Sequence, residues 1–341
     1  MPKKPFFRLA LGACLFALGA ISFTFAICGA VAQAQHPGKV HRIGLLMSSS
    51  TAETQPFIDA FRQGLRELGY VEGKNIVLEI RGGGAKRNRL SDLAAELVRL
   101  KVDIIVTGGS FAIRAAKEAT STIPIVMRIG SDPVNAGLVV SLAHPGGNIT
   151  GVASINLGLI GKRLELLAEV VPGVKRIAVL SAQADPARFI ATDEYQEMEA
   201  AARALGVKLQ ILNALDPNAI DNAFLATTTE RAQALVVIPS PRYFQNRERI
   251  IKHAAKNRLP SIYPQSLYVE SGGLISYGAD FVDENRRLAI YADKILKGAR
   301  PADLPIEQPK KFELVINLKT AKQIGLTIPP NVLARADKVI K

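Results

Sequence analysis

The sequence predicts an α/β protein of two similar doubly wound parallel-sheet lobes joined by crossover segments, and three observations carry that prediction. From His41 onward, short apolar runs alternate with segments of helical period, the pattern of parallel βαβ units with right-handed crossovers. The order of these runs repeats once in the second half of the chain. The length, 341 residues, is more than one hydrophobic core usually serves, so two domains are expected.

Taken in order, Arg42 to Met47 is an apolar run that stops at Ser48-Ser49-Ser50-Thr51. Phe57, Phe61, Leu65 and Leu68 follow at helical spacing, and Gly69 ends the helix. Asn75 to Ile80 reads as the next strand and Leu90 to Leu100 as an amphipathic helix. Asp103 to Thr107 is a strand closed by Gly108-Gly109-Ser110, with a helix to about Ala119. Pro124 to Ile129 is the fourth strand and runs almost without spacer into Gly130-Ser131-Asp132-Pro133.

The second half echoes the first. Arg42-Ile43-Gly44-Leu45-Leu46 has its counterpart in Arg176-Ile177-Ala178-Val179-Leu180, and Leu65-Arg66-Glu67-Leu68-Gly69 in Ala202-Arg203-Ala204-Leu205-Gly206. Asp103 to Gly108 is matched by Ala234 to Pro239, and Thr122-Ile123-Pro124-Ile125 by Arg258-Leu259-Pro260-Ser261. Gly146 to Gly151 reads as a crossover between the halves, and Gly272 to Gly278 as a return crossover. The expected division is residues 38–150 for the first lobe, 151–276 for the second, and a return of about 277–341 to the first.

Residues 1–34 read as a secretory signal peptide and are set apart from the fold. Lys3, Lys4 and Arg8 precede an uncharged stretch from Leu9 to Ala32, which ends in Ala30-Val31-Ala32-Gln33-Ala34. The uncharged stretch is also long enough for an uncleaved anchor, but the A-x-A ending favours cleavage. Both cysteines, Cys14 and Cys28, lie in this leader, so the exported chain has no thiol, disulfide or Cys-ligated metal.

Hydrophobic residues at 48% and charged residues at 21% exclude a disordered chain. The net charge of +13 raises the question of nucleic acid or an anionic membrane. Yet the basic residues are scattered, as in Arg247 with Arg249 and Lys310 with Lys311, without interleaved aromatics. Export argues further against nucleic acid.

Doubly wound sheets bind ligands beyond the carboxyl ends of their strands. The residues there are Ser48 and Ser49, then Thr107, Gly109 and Ser110, then Ser131 and Asp132, with Ser154 after the crossover. In the second half they are Ser181 and Gln183, Ser240, and Tyr263 with Gln265. Glycine lets backbone N–H groups approach a ligand, and helix N-termini there favour anions. The competing reading is that these hydroxyls and carboxylates are ordinary N-caps. Asp132 fits both: as a cap with Pro133 at the first helical position, or as a carboxylate for a ligand ammonium or hydroxyl. Asp280 at the end of "SYGAD" is a second carboxylate on the crossover side, and Tyr263, Tyr277 and Phe111 are candidates for an aromatic wall. His36, His41, His144 and His253 have no metal-ligand spacing, and no G-x-S-x-G elbow or P-loop is present. Neither catalysis, a metal nor a cofactor is expected.

Several segments together, "GKVHRIGLL", "FRQGLRELGYVEGKNI", "SDPVNAGLV", "SLAHPGGNITG", "LPSIYP", "GGLISYGAD" and "PADLPIEQPKKFELVINLKTAKQIGLTIP", resemble the substrate-binding proteins of bacterial ABC transporters related to the tryptophan- and tyrosine-binding type. The resemblance runs from about Gly38 to Lys341. It implies a type I periplasmic-binding fold with three crossovers, and a monomer that closes on a small molecule and hands it to an inner-membrane permease. If the ligand is an amino acid, the expectation is that Asp132 or Asp280 takes the ammonium, backbone N–H groups near Gly109 and Ser110 the carboxylate, and a tyrosine the side chain. A periplasmic sensor or an exported enzyme on the same scaffold is the alternative; the leader and the lack of a DNA-binding segment before Val40 count against a transcription regulator.

Overall fold

The apolar run after His41 becomes β1 (His41–Met47), buried from Ile43 onward. It is the second strand of a five-stranded parallel sheet with β2 (Ile76–Gly82), β3 (Ile104–Gly108), β4 (Ile125–Ile129) and β5 (Ile149–Ala153). The order is β2-β1-β3-β4-β5. The computed structural model describes residues 39–50, 54–84, 88–154, 159–183 and 189–341; the leader and Thr51 lie outside these. Helix α1 (Gln55–Glu67) starts with Pro56 in its first turn and buries Phe57, Ile58, Phe61 and Leu65, the stripe that its period demands. Helices α2 (Asn88–Arg99) and α3 (Ser110–Ala119) cover the other face through Leu93, Leu97, Ile113 and Ala116.

The second lobe opens with α4 (Leu159–Val170) and β6 (Arg176–Ser181), followed by α5 (Asp193–Leu205), β7 (Lys208–Asn213), α6 (Pro217–Thr229) and β8 (Ala234–Val237). Next come α7 (Pro241–Gln245), α8 (Arg247–Lys256), β9 (Ser261–Tyr263), α9 (Ser266–Glu270) and β10 (Ile275–Ala279). The strand order β7-β6-β8-β9-β10 reproduces that of the first sheet, so the internal echo is a repeat in three dimensions.

The chain then crosses to the first lobe as α10 (Phe281–Leu296), whose Phe281, Leu288, Ala289 and Ala292 share one core with Phe57, Phe61 and Leu65. Gly64 makes this contact close: a Cβ there would stand 2.8 Å from Ala289 Cβ. The expected return of the whole 277–341 segment to the first lobe is corrected beyond this helix. Strand β11 (Phe312–Asn317) pairs antiparallel with β10, Ile275 opposite Ile316, and β12 (Lys338–Ile340) pairs with β11. Leu314 and Ile316, with Ala321 and Ile324 of α11 (Leu318–Ile324) and Val332 of α12 (Pro330–Leu333), are buried with Ile177 and Val179 of β6, which fixes the tail to the second sheet. The chain therefore passes between lobes three times: after β5, between β10 and α10, and between α10 and β11. The third passage runs beside the first, because Glu307 exchanges backbone hydrogen bonds with Gly151 and Ala153. Gly151 has no room for a side chain there: its φ is +138°, and a Cβ would stand 2.1 Å from Met127 O of β4.

Candidate functional site: the cleft between the lobes

Beyond the carboxyl ends of the strands, residues of both lobes and of α10 line one cavity of about 250 Å³. Ser48 and Ser49 stand past β1, Gly109 and Ser110 at the start of α3, Ser131 past β4 and Ser154 past β5. The second lobe contributes Ser240 and Phe244 around α7, and Gln265 with Tyr268 around α9. Phe281 and Glu284 come from the first turn of α10.

The first-lobe wall is built around Ser48. Its hydroxyl donates to Gly108 O at 3.3 Å and accepts the Ala112 N–H at 3.2 Å, so it serves the first turn of α3 from another strand. Gly109, the residue before that helix, has φ +88° and no side chain to cap it; a Cβ would lie 2.8 Å from Ser48 Oγ. A helix start capped in this way keeps its backbone dipoles beside the cavity. Ser49 reaches the other lobe: Gln245 Nε2 donates to its Oγ at 3.2 Å.

Among the described residues two charged ones line the cavity, and they face each other. Arg128, on β4, stands 3.3 Å from Glu284, whose side chain is 4% exposed against 20% for the arginine. Ser154 Oγ donates to the other carboxylate oxygen of Glu284. The Arg128 guanidinium lies over the rings of Phe57 and Phe281, at 5.9 and 5.1 Å from their centroids. Opposite, Phe244 is held from behind by Arg247, which covers its ring at 4.8 Å and donates to its carbonyl oxygen at 3.1 Å. Tyr268 is fully buried and stacks on Tyr263 at 5.1 Å. Burial pushes its phenol far above the ordinary value, so it stays neutral, and its buried hydroxyl has no hydrogen-bond partner among the described residues.

Of the residues singled out in the sequence, the cavity brings together Ser48, Ser49, Gly109, Ser110, Ser131, Ser154, Ser240 and Gln265. The others stand apart from it. Thr107 and Ser181 are wholly buried near the ends of β3 and β6. Tyr263 packs behind Tyr268, and Tyr277 stacks on Phe312 at 6.4 Å while its carbonyl accepts from Arg163 Nε at 2.8 Å. Phe111 packs against the first-lobe core. Asp132 accepts the N–H groups of Val134 at 2.8 Å and Asn135 at 3.3 Å, so its carboxylate closes the turn after β4, where no helix follows. Asp280 caps α10 through the N–H groups of Val282 and Asp283, both at 3.0 Å, and pairs with Lys311 at 2.7 Å. Burial would raise the Asp280 carboxyl, but Lys311 and the two N–H groups outweigh it and hold the group below its ordinary value. The sequence reading missed Arg128, Glu284, Phe57, Phe244, Tyr268 and Phe281. Only Arg128 carried a local signal, a lone charge inside the apolar strand Ile125–Ile129.

An α/β molecule with two lobes, three passages between them and a ligand-sized cavity where they meet has the architecture of a solute-binding protein. The chain belongs to the ABC transporter substrate binding protein family, which it matches over residues 40–340. It is 26% identical over 275 residues to a tyrosine-binding protein of Clostridioides difficile, covering 80% of this chain and 78% of that protein. Among solved structures it resembles a conserved domain protein from Vibrio cholerae, with a TM-score of 0.78 and 28% identity over 88% of this chain and 100% of that one. It equally resembles an ABC domain from Streptococcus pneumoniae in complex with L-Trp, with a TM-score of 0.78 and 26% identity over 88% of this chain and 99% of that one. These relatives point to a binding protein and not to an enzyme.

Proposed function

We propose that this protein is exported to the periplasm, where as a monomer it captures an amino acid, aromatic side chains favoured, and presents it to the permease of an ABC importer. The observation that carries the reading is the cavity, where serines, Arg128 and Glu284 stand with Phe57 and Phe281 at the first lobe and Phe244 and Tyr268 at the second, its wall drawn from both lobes and the crossover helix. A solute touching both walls stabilises the closed arrangement by its differential affinity, as hinge closure requires. The ring of such a ligand packs on the side of Phe244 and Tyr268, and its polar end turns toward Ser48, Ser110, Arg128 and Glu284. Asp132 and Asp280 are replaced in this scheme, since their lone pairs serve the turn after β4 and the start of α10. The tyrosine-binding relative and the structure with L-Trp support the same class of ligand. The basic, apolar and A-x-A sequence of residues 1–34 supports export.

The test is to produce the chain with its leader, isolate it from the periplasmic fraction without denaturation, and identify the co-purified solute by mass spectrometry. An aromatic amino acid, with the chain starting after Ala32 or Ala34, is the expected result. A sugar or nucleoside in its place would refute the ligand class. Conversion of the solute during incubation would favour an enzyme.

A further inference from the structure

We infer that Arg128 is the anion anchor of the cleft, taking a carboxylate on the ligand, with Glu284 acting as the built-in counter-charge that holds the guanidinium in place. The inference rests on the reading of the cleft as a solute site and adds which ligand group that site selects. Arg128 and Glu284 are the charged residues among the described ones that line the cavity, and they are unequally committed. Glu284 is nearly inaccessible; one of its oxygens accepts from Ser154 and the other faces Arg128. Arg128 carries five N–H donors, yet its hydrogen bond to Glu284 uses Nη1 alone, and its buried Nε has no partner. What the pair offers the cavity is therefore donor capacity on the cation, and a matching ligand group is an acceptor with negative charge.

The surroundings strengthen this assignment. Phe57 and Phe281 flank the guanidinium and fix its plane, which reduces the entropy lost on pairing with a planar carboxylate. The Gly109 N–H donates to Arg128 O at 3.3 Å, so the start of α3 is tied to the same stretch of β4 and adds its positive end to the same wall. Because Glu284 balances the charge when no ligand is bound, the cleft does not hold an unpaired, partly buried cation.

The test is calorimetric titration of the wild-type chain, Arg128→Gln and Arg128→Lys with six probes. Four are acids: L-tryptophan, L-tyrosine, indole-3-acetate and 4-hydroxyphenylacetate. Two are the amines lacking the carboxylate, tryptamine and tyramine. Wild type should bind an acid more tightly than its matched amine. Arg128→Gln should weaken binding of that acid roughly tenfold to a hundredfold, the range for a hydrogen bond to a charged group, while binding of the amines does not weaken. Arg128→Lys, which keeps the charge without the fork, should fall between and stands in if Arg128→Gln fails to fold. Equal affinity of wild type and folded variants for the acids, or an amine bound as tightly as its acid, overturns the inference. Binding of the two aryl acetates but of neither amino acid overturns the amino-acid reading and leaves Arg128 in its role. If none of the six binds, the solute co-purified with wild type decides: one without an anionic group overturns the inference, and one whose retention is lost in Arg128→Gln supports it.

Discussion

Gln245 and Ser49 make a side-chain hydrogen bond that joins the two lobes at the cleft, and removing it should open the molecule by a measurable amount. The bond is neutral, 3.2 Å long and partly buried, so about 1 kcal/mol is the appropriate size, or roughly a fivefold change in the ratio of closed to open forms. Since a ligand that needs closure binds in proportion to the competent fraction, Gln245→Ala should weaken any such ligand by up to that factor, whatever its chemistry. Both cysteines lie in the leader, so a chain without residues 1–34 takes spin labels only where cysteines are introduced. Exposed Glu118 on α3 and exposed Lys256 on α8 place one label on each lobe. Pulsed electron resonance should show Gln245→Ala moving the distance distribution toward longer separations, with Ser49→Ala doing the same. The double variant should add little, because both singles remove one bond. Unchanged distributions in both singles, or full additivity in the double, would refute the latch.

Other expectations concern the first-lobe wall and the crossover helix. Ser48→Ala deletes the bonds to Gly108 O and the Ala112 N–H and should cost about 0.5–2 kcal/mol, read by calorimetry, as for loss of a helix cap. Gly109→Ala should cost about 1 kcal/mol or more from its positive φ and its clash with Ser48 Oγ; combined with Ser48→Ala the clash is relieved, so the double variant should be more stable than the sum of the singles. Asp280, held below its ordinary value of 3.8, lends stability that is complete above that pH and is lost as pH falls through its lower folded value. The stability gap between wild type and Asp280→Asn, measured by denaturant titration from roughly pH 2 to 6, should therefore close in acid. A gap constant across that range would show that the charge of Asp280 contributes nothing.

How much of this was legible in the sequence depends on how local each signal is. The lobes were legible because β6 and β1 carry the same kind of buried run and their neighbours follow in the same order, a pattern that the strand orders β7-β6-β8-β9-β10 and β2-β1-β3-β4-β5 repeat. The return segment was not, because nothing in Phe312–Asn317 itself says which sheet offers an open edge; antiparallel pairing with β10 supplies it. The serines past β1, β4 and β5 that line the cavity were picked out by the rule that ligands lie beyond strand ends. Phe244 and Tyr268 were not, since they stand on short helices one step further along the chain.

The two carboxylates show the physics most directly. A carboxylate at a strand end has two uses, the N–H groups of the next turn and the groups of a ligand, and the nearer N–H groups take it first. At Asp132 and Asp280 those N–H groups are two and three residues away, so both side chains turn back onto the chain. The cap then fixes the turn that follows: the Glu284 N–H donates to Asp280 O at 3.0 Å, which sets Glu284 one helical turn on. On β4 the corresponding displacement runs the other way, from Asp132 back to Arg128. The ionic groups of the cleft thus lie four residues from those the sequence singled out, one turn into a helix and one step down a strand. Asp280→Asn should accordingly reach the cleft only through the position of Glu284, whereas changes at Arg128 act on the ligand directly.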